Sequence, residues 1–99
     1  MIRRKIILAP EATDNLSNLA VWISEAASQG VARNYVARVK AYLTGFDLAS
    51  ERGALRNDLR PGLRTVGFER RLTIAFTTTE PEVRMLRVFR AGRDWTSAF

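Results

Sequence analysis

Arginine is the residue type with which this sequence could do chemistry. Lys5 and Lys40 are the two lysines among 16 basic side chains, and the other 14 are arginine. A guanidinium is always charged and presents a planar fork of donors, so it suits bidentate recognition of carboxylates and phosphates and tolerates desolvated interfaces. Arg60, Arg64, Arg70, Arg71, Arg84, Arg87, Arg90 and Arg93 all fall in the second half of the chain. With a formal net charge of +6, such a field draws nucleic acid, acidic protein surfaces or an acidic peptide. The alternative use of the same residues is internal pairing with Asp58, Glu69, Glu82 and Asp94, the last lying close behind Arg90 and Arg93.

The residue types that are missing exclude as much as the arginines suggest. Without cysteine there is no disulfide scaffold, thiolate zinc site or thiol nucleophile. Without histidine the usual general base, the usual metal ligand and every Ser-His-Asp or Cys-His arrangement are gone. Glu80 and Glu82 flank Pro81 and read as solvated turn residues rather than an acid/base pair. The glycines are dispersed, and no spacing matches a metal site, a phosphate-binding loop or a nucleotide fingerprint. No metal and no cofactor are expected.

Ninety-nine residues, 46% apolar and 26% charged, make a single globular domain spanning 1–99. A chain of this size buries roughly two thirds of its unfolded surface. Arg3-Arg4-Lys5 before Ile6-Ile7-Leu8 imitates a short signal segment, but Pro10-Glu11 ends the apolar run early. No stretch approaches the ~20 apolar residues of a membrane span. A cytoplasmic protein with no membrane association is the expectation.

The elements that must hold the arginines follow from periodicity. Arg4 to Leu8 reads as a short strand, and Pro10 fits the first turn of a helix, where its missing N–H costs nothing. Ala12, Leu16, Leu19, Ala20, Ile23 and Ala27 recur at helical steps, with Gly30 as a left-handed cap. A second helix from about Val31 to Leu48 carries Val31, Tyr35, Val39, Leu43 and Phe46, flanked by Val36 and Tyr42. The short connection makes the two helices antiparallel. Residues 49–62 are polar and rich in turn formers.

Strands are then expected over Leu63–Phe68, Arg71–Thr77 and Val83–Phe89. Strict alternation in the last would place Val83, Met85 and Phe89 on one face with Arg87, and Leu86 and Val88 on the other with Arg84 and Arg90. The expected fold is α+β: an N-terminal strand, an antiparallel two-helix hairpin and a three-stranded antiparallel meander. Helices cover one sheet face, so the arginines would form a basic concavity on the other.

Asp58-Leu59-Arg60-Pro61-Gly62-Leu63-Arg64, followed by two strands and Leu86-Arg87-Val88-Phe89-Arg90-Ala91-Gly92-Arg93-Asp94, resembles the ParE-type toxins of the RelE/ParE toxin–antitoxin superfamily. Leu8-Ala9-Pro10-Glu11-Ala12 entering the first helix fits the same pattern, so the resemblance runs from Arg4 to Asp94. The sequence departs from the family where Phe76 and Thr77 stand in place of a strand tyrosine and Arg90 in place of a histidine.

The resemblance implies the RelE/ParE-like fold and the toxin component of a type II pair. Such a toxin traps DNA gyrase in its cleaved-DNA complex and is neutralised by a cognate antitoxin, here an acidic one, in a hetero-oligomer. The alternative it implies is a RelE-type, ribosome-dependent mRNA endonuclease. Arg64 and Arg87 could match the sheet arginines of that branch. However, no lysine follows Lys40, and both tyrosines, Tyr35 and Tyr42, fall on the second helix, so the acid/base pair for RNA cleavage is missing. The reading is therefore a binder with no catalytic residues. Its target contacts are expected at Arg64, Arg87, Arg90, Arg93 and Trp95, since arginine and aromatic residues dominate interface hot spots. Its antitoxin contacts are expected at Trp22, Val36 and Tyr42. Trp95 could instead cap the helical hairpin, and Trp22, Val36 and Tyr42 could complete the chain's own core.

Overall fold

The computed structural model describes residues 4–47, 53–90 and 95–99. Strand β1 (Lys5–Leu8) leads into helix α1 (Pro10–Ala26) and helix α2 (Gln29–Thr44), which ends in a 3₁₀ turn at Gly45–Asp47. Strands β2 (Ala54–Leu55), β3 (Arg64–Phe68), β4 (Leu72–Thr78) and β5 (Glu82–Arg90) follow, and a second 3₁₀ turn, Trp95–Ala98, lies near the C-terminus.

Pro10 occupies the start of α1 with Glu11 in its first turn, where a missing N–H and a negative charge both suit the helix dipole. The junction between the helices differs from expectation. Ala27 N–H closes α1 on the Ile23 carbonyl, and the Ser28 hydroxyl accepts a bond from Val31 N–H at 3.1 Å to start α2. Gly30 therefore sits inside the first turn of α2 instead of capping α1. The shift also turns Val31 out to solvent and brings Ala32 in, so the buried stripe is Ala32, Tyr35, Val39 and Leu43.

The strands form one five-stranded sheet in the order β1-β5-β4-β3-β2. The expected antiparallel meander is present as β3, β4 and β5, but the sheet is larger and mixed. Strand β1 pairs parallel to β5, Ile6 opposite Val83 and Leu8 opposite Met85, and β2 adds a two-residue edge on β3. The crossover through the helical hairpin lays α1 and α2 on one face.

A bulge in β5 changes which residues share a face. Ala75 pairs with Arg87 but Phe76 pairs with Met85, leaving Leu86 as the extra residue. Opposed residues share a face, so Val83, Met85, Val88 and Arg90 point to the helices, while Arg84, Arg87 and Phe89 point away. Phe89 and Arg87 are thus separated from Val83 and Met85, contrary to strict alternation.

The helix face holds the main core: Leu16, Leu19, Tyr35, Val39, Leu43, Phe46, Ile74, Phe76, Met85 and Val88 among others. Phe46 meets Phe76 edge-on at 5.0 Å between ring centroids. The far face has a smaller cluster of Leu63, Ala75 and Phe89, closed by Leu59, Leu86, Trp95 and Phe99.

Candidate functional site

The expected basic concavity on the far face is not what the chain builds. Arg64 lies opposite Phe76 and Leu55, and so on the helix side of the sheet at its β2 edge. Arg87 lies opposite Ala75 on the far side. Arg84 shares that side and is held by Glu82 at 2.9 Å. The centre of the far face, around Ala75 and Phe89, is apolar and covered: the Trp95 ring lies 6.2 Å from Phe89 and Phe99 meets Phe89 edge-on. Trp95 therefore caps the far face of the sheet, not the helical hairpin. Its own ring receives the guanidinium of Arg56, which also forks onto Asp58 at 2.9 and 3.0 Å. Arg93 and Asp94 lie outside the described residues.

The residues expected to meet an antitoxin are likewise distributed. Trp22 is half exposed in a groove between α1 and the β3–β4 turn, and Val36 lines a separate shallow groove of about 610 Å³ on the outer side of the hairpin beside Arg33 and Lys40. Tyr42 packs onto the core, 5.3 Å from Phe46 and 5.0 Å from Phe68.

The groove holding Trp22 has a volume of about 680 Å³. Leu19, Ile23, Tyr35 and Leu72 form its apolar surface, and Arg70, Arg71 and Arg90 its polar one. Arg90 lies over the Trp22 ring at 4.7 Å, a cation–π contact. A residue expected to grip the target and one expected to meet the antitoxin are thus in direct contact.

Two further observations single out this groove. The Tyr35 hydroxyl is buried and, among the described residues, has no hydrogen-bond partner. Burial, with help from Glu69, pushes the phenol above its ordinary range, so it remains a donor at neutral pH. The turn that brings Arg70 and Arg71 to the rim is strained: Glu69 and Arg70 have φ of 50° and 58°, left-handed values unfavourable for side-chain-bearing residues. Arg38 of α2 holds that turn with a bidentate pair to Glu69, both bonds 3.1 Å, while its guanidinium lies 4.9 Å from the Tyr35 ring centroid. The same hydrogen bonds keep the Glu69 carboxyl below its usual range.

Past the Arg90–Trp22 contact the groove continues into a smaller cleft of about 200 Å³ lined by Asn15, Asn18, Arg87 and Arg90. Its origin is the unequal length of β1 and β5. The pairing of β1 ends at Met85, so among the described residues the edge of β5 beyond it has no strand neighbour on that side. Asn15 of α1 takes over: its Oδ1 accepts from Val88 N–H at 2.9 Å and from Arg87 Nε at 3.1 Å. Arg87 thus bends round the strand edge, its guanidinium also resting 4.9 Å from the Phe89 ring centroid.

Sequence reasoning gave no role to Asn15, Asn18 or Arg38, and named Glu69 only as a candidate partner for the arginines near the sheet. Asn15 carried a usable signal, being a poor helix former in a helix interior, three residues from buried Ala12 and four from buried Leu19. Among the described residues no group of three or more carboxylate, histidine or cysteine side chains could hold a metal, and no helix is long and apolar enough to cross a membrane.

No protein-family model and no curated protein matches the sequence. The fold, in contrast, is similar to that of a chain in a solved structure of the chromosomal ParDE TA system from P. aeruginosa. The TM-score is 0.77 over 89% of this chain and 96% of that one, at 18% sequence identity. By its architecture, five strands and a helical hairpin in this order, the chain has the α+β fold of that ParDE chain.

Proposed function

We propose that this chain is the toxin of a type II toxin–antitoxin pair, a ParE-type member of the RelE/ParE superfamily that acts in the cytoplasm. It holds DNA gyrase in the complex with cleaved DNA, and an acidic antitoxin neutralises it by docking on the groove around Trp22. The observation that carries the reading is the correspondence of fold with a ParDE chain over nearly the whole length of both. Trapping requires tighter binding to the cleaved complex than to the resealed one, and Arg87, Arg90, Arg93 and Trp95 are the contacts proposed for it.

The geometry argues against the RNA-cutting alternative. A phosphate clamp made of Arg64 and Arg87 would need both guanidiniums at one place, whereas Arg64 stands beside the β2 edge, opposite Leu55, and Arg87 is drawn to Asn15 at the open edge of β5. The Tyr35 hydroxyl is buried and Tyr42 is packed on Phe46 and Phe68, so neither is placed to give a proton to a leaving oxygen.

Induced expression in bacterial cells tests this. The expected outcome is growth arrest with a DNA-damage response, gyrase trapped on DNA and intact transcripts. Transcripts cut in translating ribosomes with undamaged DNA, or unimpaired growth, would overturn the proposal.

A further inference from the structure

We infer that the cleft between Asn15, Asn18, Arg87 and Arg90 is an oxyanion subsite that takes a carboxylate side chain from a segment lying in the adjoining apolar groove. The segment is that of the neutralising partner, so the inference rests on the proposed function and adds the chemistry of recognition to it.

Arg87 is the centre of the site. Its Nε is committed to Asn15 Oδ1, and its flat face rests against Phe89. Among the described residues it has no other partner, which leaves its terminal nitrogens as an oriented pair of donors. Asn15 Oδ1, already accepting from Val88 N–H as well, fixes that orientation from a helix rather than from a mobile loop. Opposite, Arg90 is held by the Trp22 ring at 4.7 Å. Two guanidiniums with restricted freedom facing a cleft of about 200 Å³ suit one planar, doubly accepting anion.

Continuity decides which anion. The cleft shares Leu19, Trp22, Leu72 and Arg90 with the groove of about 680 Å³, and the described residues lining the two together include four arginines and no carboxylate. The larger compartment offers Leu19, Ile23 and Leu72 to an apolar side chain. An amphipathic acidic peptide satisfies both compartments at once, whereas a nucleic-acid strand would leave the apolar one unfilled. The carboxylate therefore belongs to an Asp or Glu that flanks an apolar anchor.

The test uses three probes of equal length on the intact chain: a blocked amphipathic Leu/Glu peptide, the same peptide with Gln for Glu, and a single-stranded oligonucleotide. Binding is measured by calorimetry and by the side-chain Nε–H resonances of Arg87 and Arg90. The Leu/Glu peptide should move both resonances and bind about tenfold or more tightly than its Gln counterpart. Arg87→Lys, which keeps the charge but loses the planar fork, should weaken the Leu/Glu peptide by about tenfold. Asn18→Asp, at an exposed position, should weaken it as an internal competitor and guards against a folding artefact at Arg87.

Equal binding of the Glu and Gln peptides, full affinity in both variants, or an oligonucleotide that moves the Arg87 resonance where the peptide does not would each overturn the inference. Growth arrest on expression is scored separately, so loss of the toxin reading leaves the peptide result standing, and the reverse.

Discussion

The two faces of the sheet solve the same burial problem with different means. On one face, α1 and α2 lay a continuous core over β4 and β5, with Phe46, Val39, Phe76, Ile74 and Met85 fully enclosed. On the other, three buried side chains are covered by short irregular pieces: Leu59 before β3, Leu86 at the bulge, and Trp95 and Phe99 at the C-terminal end. With an apolar cluster on each face, the arginines that line the groove and cleft stand at the seams. Arg87 turns round the open edge of β5, Arg70 and Arg71 stand on the β3–β4 turn, and Arg90 lies against Trp22 where strand meets helix. Cation chemistry in this fold thus belongs to edges, where guanidiniums keep water on one side and apolar contact on the other.

The contrast predicts unequal costs of truncation. Phe76→Ala removes a fully buried ring packed on Phe46 and should cost about 3–5 kcal/mol, a large part of the stability of a small domain. Trp95→Ala removes a half-buried ring from the far face and should cost about 2 kcal/mol. Urea midpoints at constant m-value measure both. Equal losses would mean that the C-terminal cover carries as much of the fold as the helices do.

That asymmetry was only half legible in the sequence. Helical steps in Ala12–Leu16–Leu19 and alternation in Leu72–Ile74–Phe76 are local properties, and both mark buried faces. The pairing of β1 with β5 depends on a crossover of more than seventy residues, for which no local pattern exists. The face on which Phe89 and Arg87 lie depends on one residue, Leu86, squeezed out of the β4–β5 ladder. A single bulge reverses the parity of everything after it, so strict alternation placed the final apolar residues on the wrong sides. The edge cleft was hidden for a related reason: Asn15 becomes informative only once Val88, paired with Ile74 on one side, is known to have no described strand on the other.

The seam itself is open to test by removing its acceptor. Asn15→Ala would strand Val88 N–H and Arg87 Nε together and should cost about 1–3 kcal/mol. Hydrogen exchange at Val88 should accelerate relative to Ile74 at the sheet centre. Asn15→Asp, which retains an acceptor, should keep Val88 protected. Should Val88 remain protected in Asn15→Ala, the β5 edge is closed by something other than α1.

At the β3–β4 turn the sign reverses. Arg70 sits at φ 58°, so Arg70→Gly relieves left-handed strain that glycine does not feel. It should raise stability by about 1 kcal/mol, read as a higher thermal midpoint, while depriving the groove of a rim cation. A seam position where the better residue for folding is the worse one for binding is what a functional edge requires. No gain in stability would show that the turn is not strained by Arg70.

The smallest effect belongs to the latch beneath that turn. Arg38 hydrogen-bonds Glu69 and holds its carboxyl below the ordinary range. A carboxyl whose folded pKa is depressed adds stability above its unfolded pKa of about 4.3, and that stability disappears as pH falls through the lower folded value. The unaltered protein should therefore have a slightly higher urea midpoint than Glu69→Gln at pH 7, and the gap should close as the solution is acidified past the carboxylate range. Because the pair is exposed on both sides, 1 M salt should shrink the gap at pH 7 as well. A gap indifferent to both acid and salt would mean that the latch works by shape alone, and that the strained turn is held in place by packing of Phe68 and Leu72 beneath it.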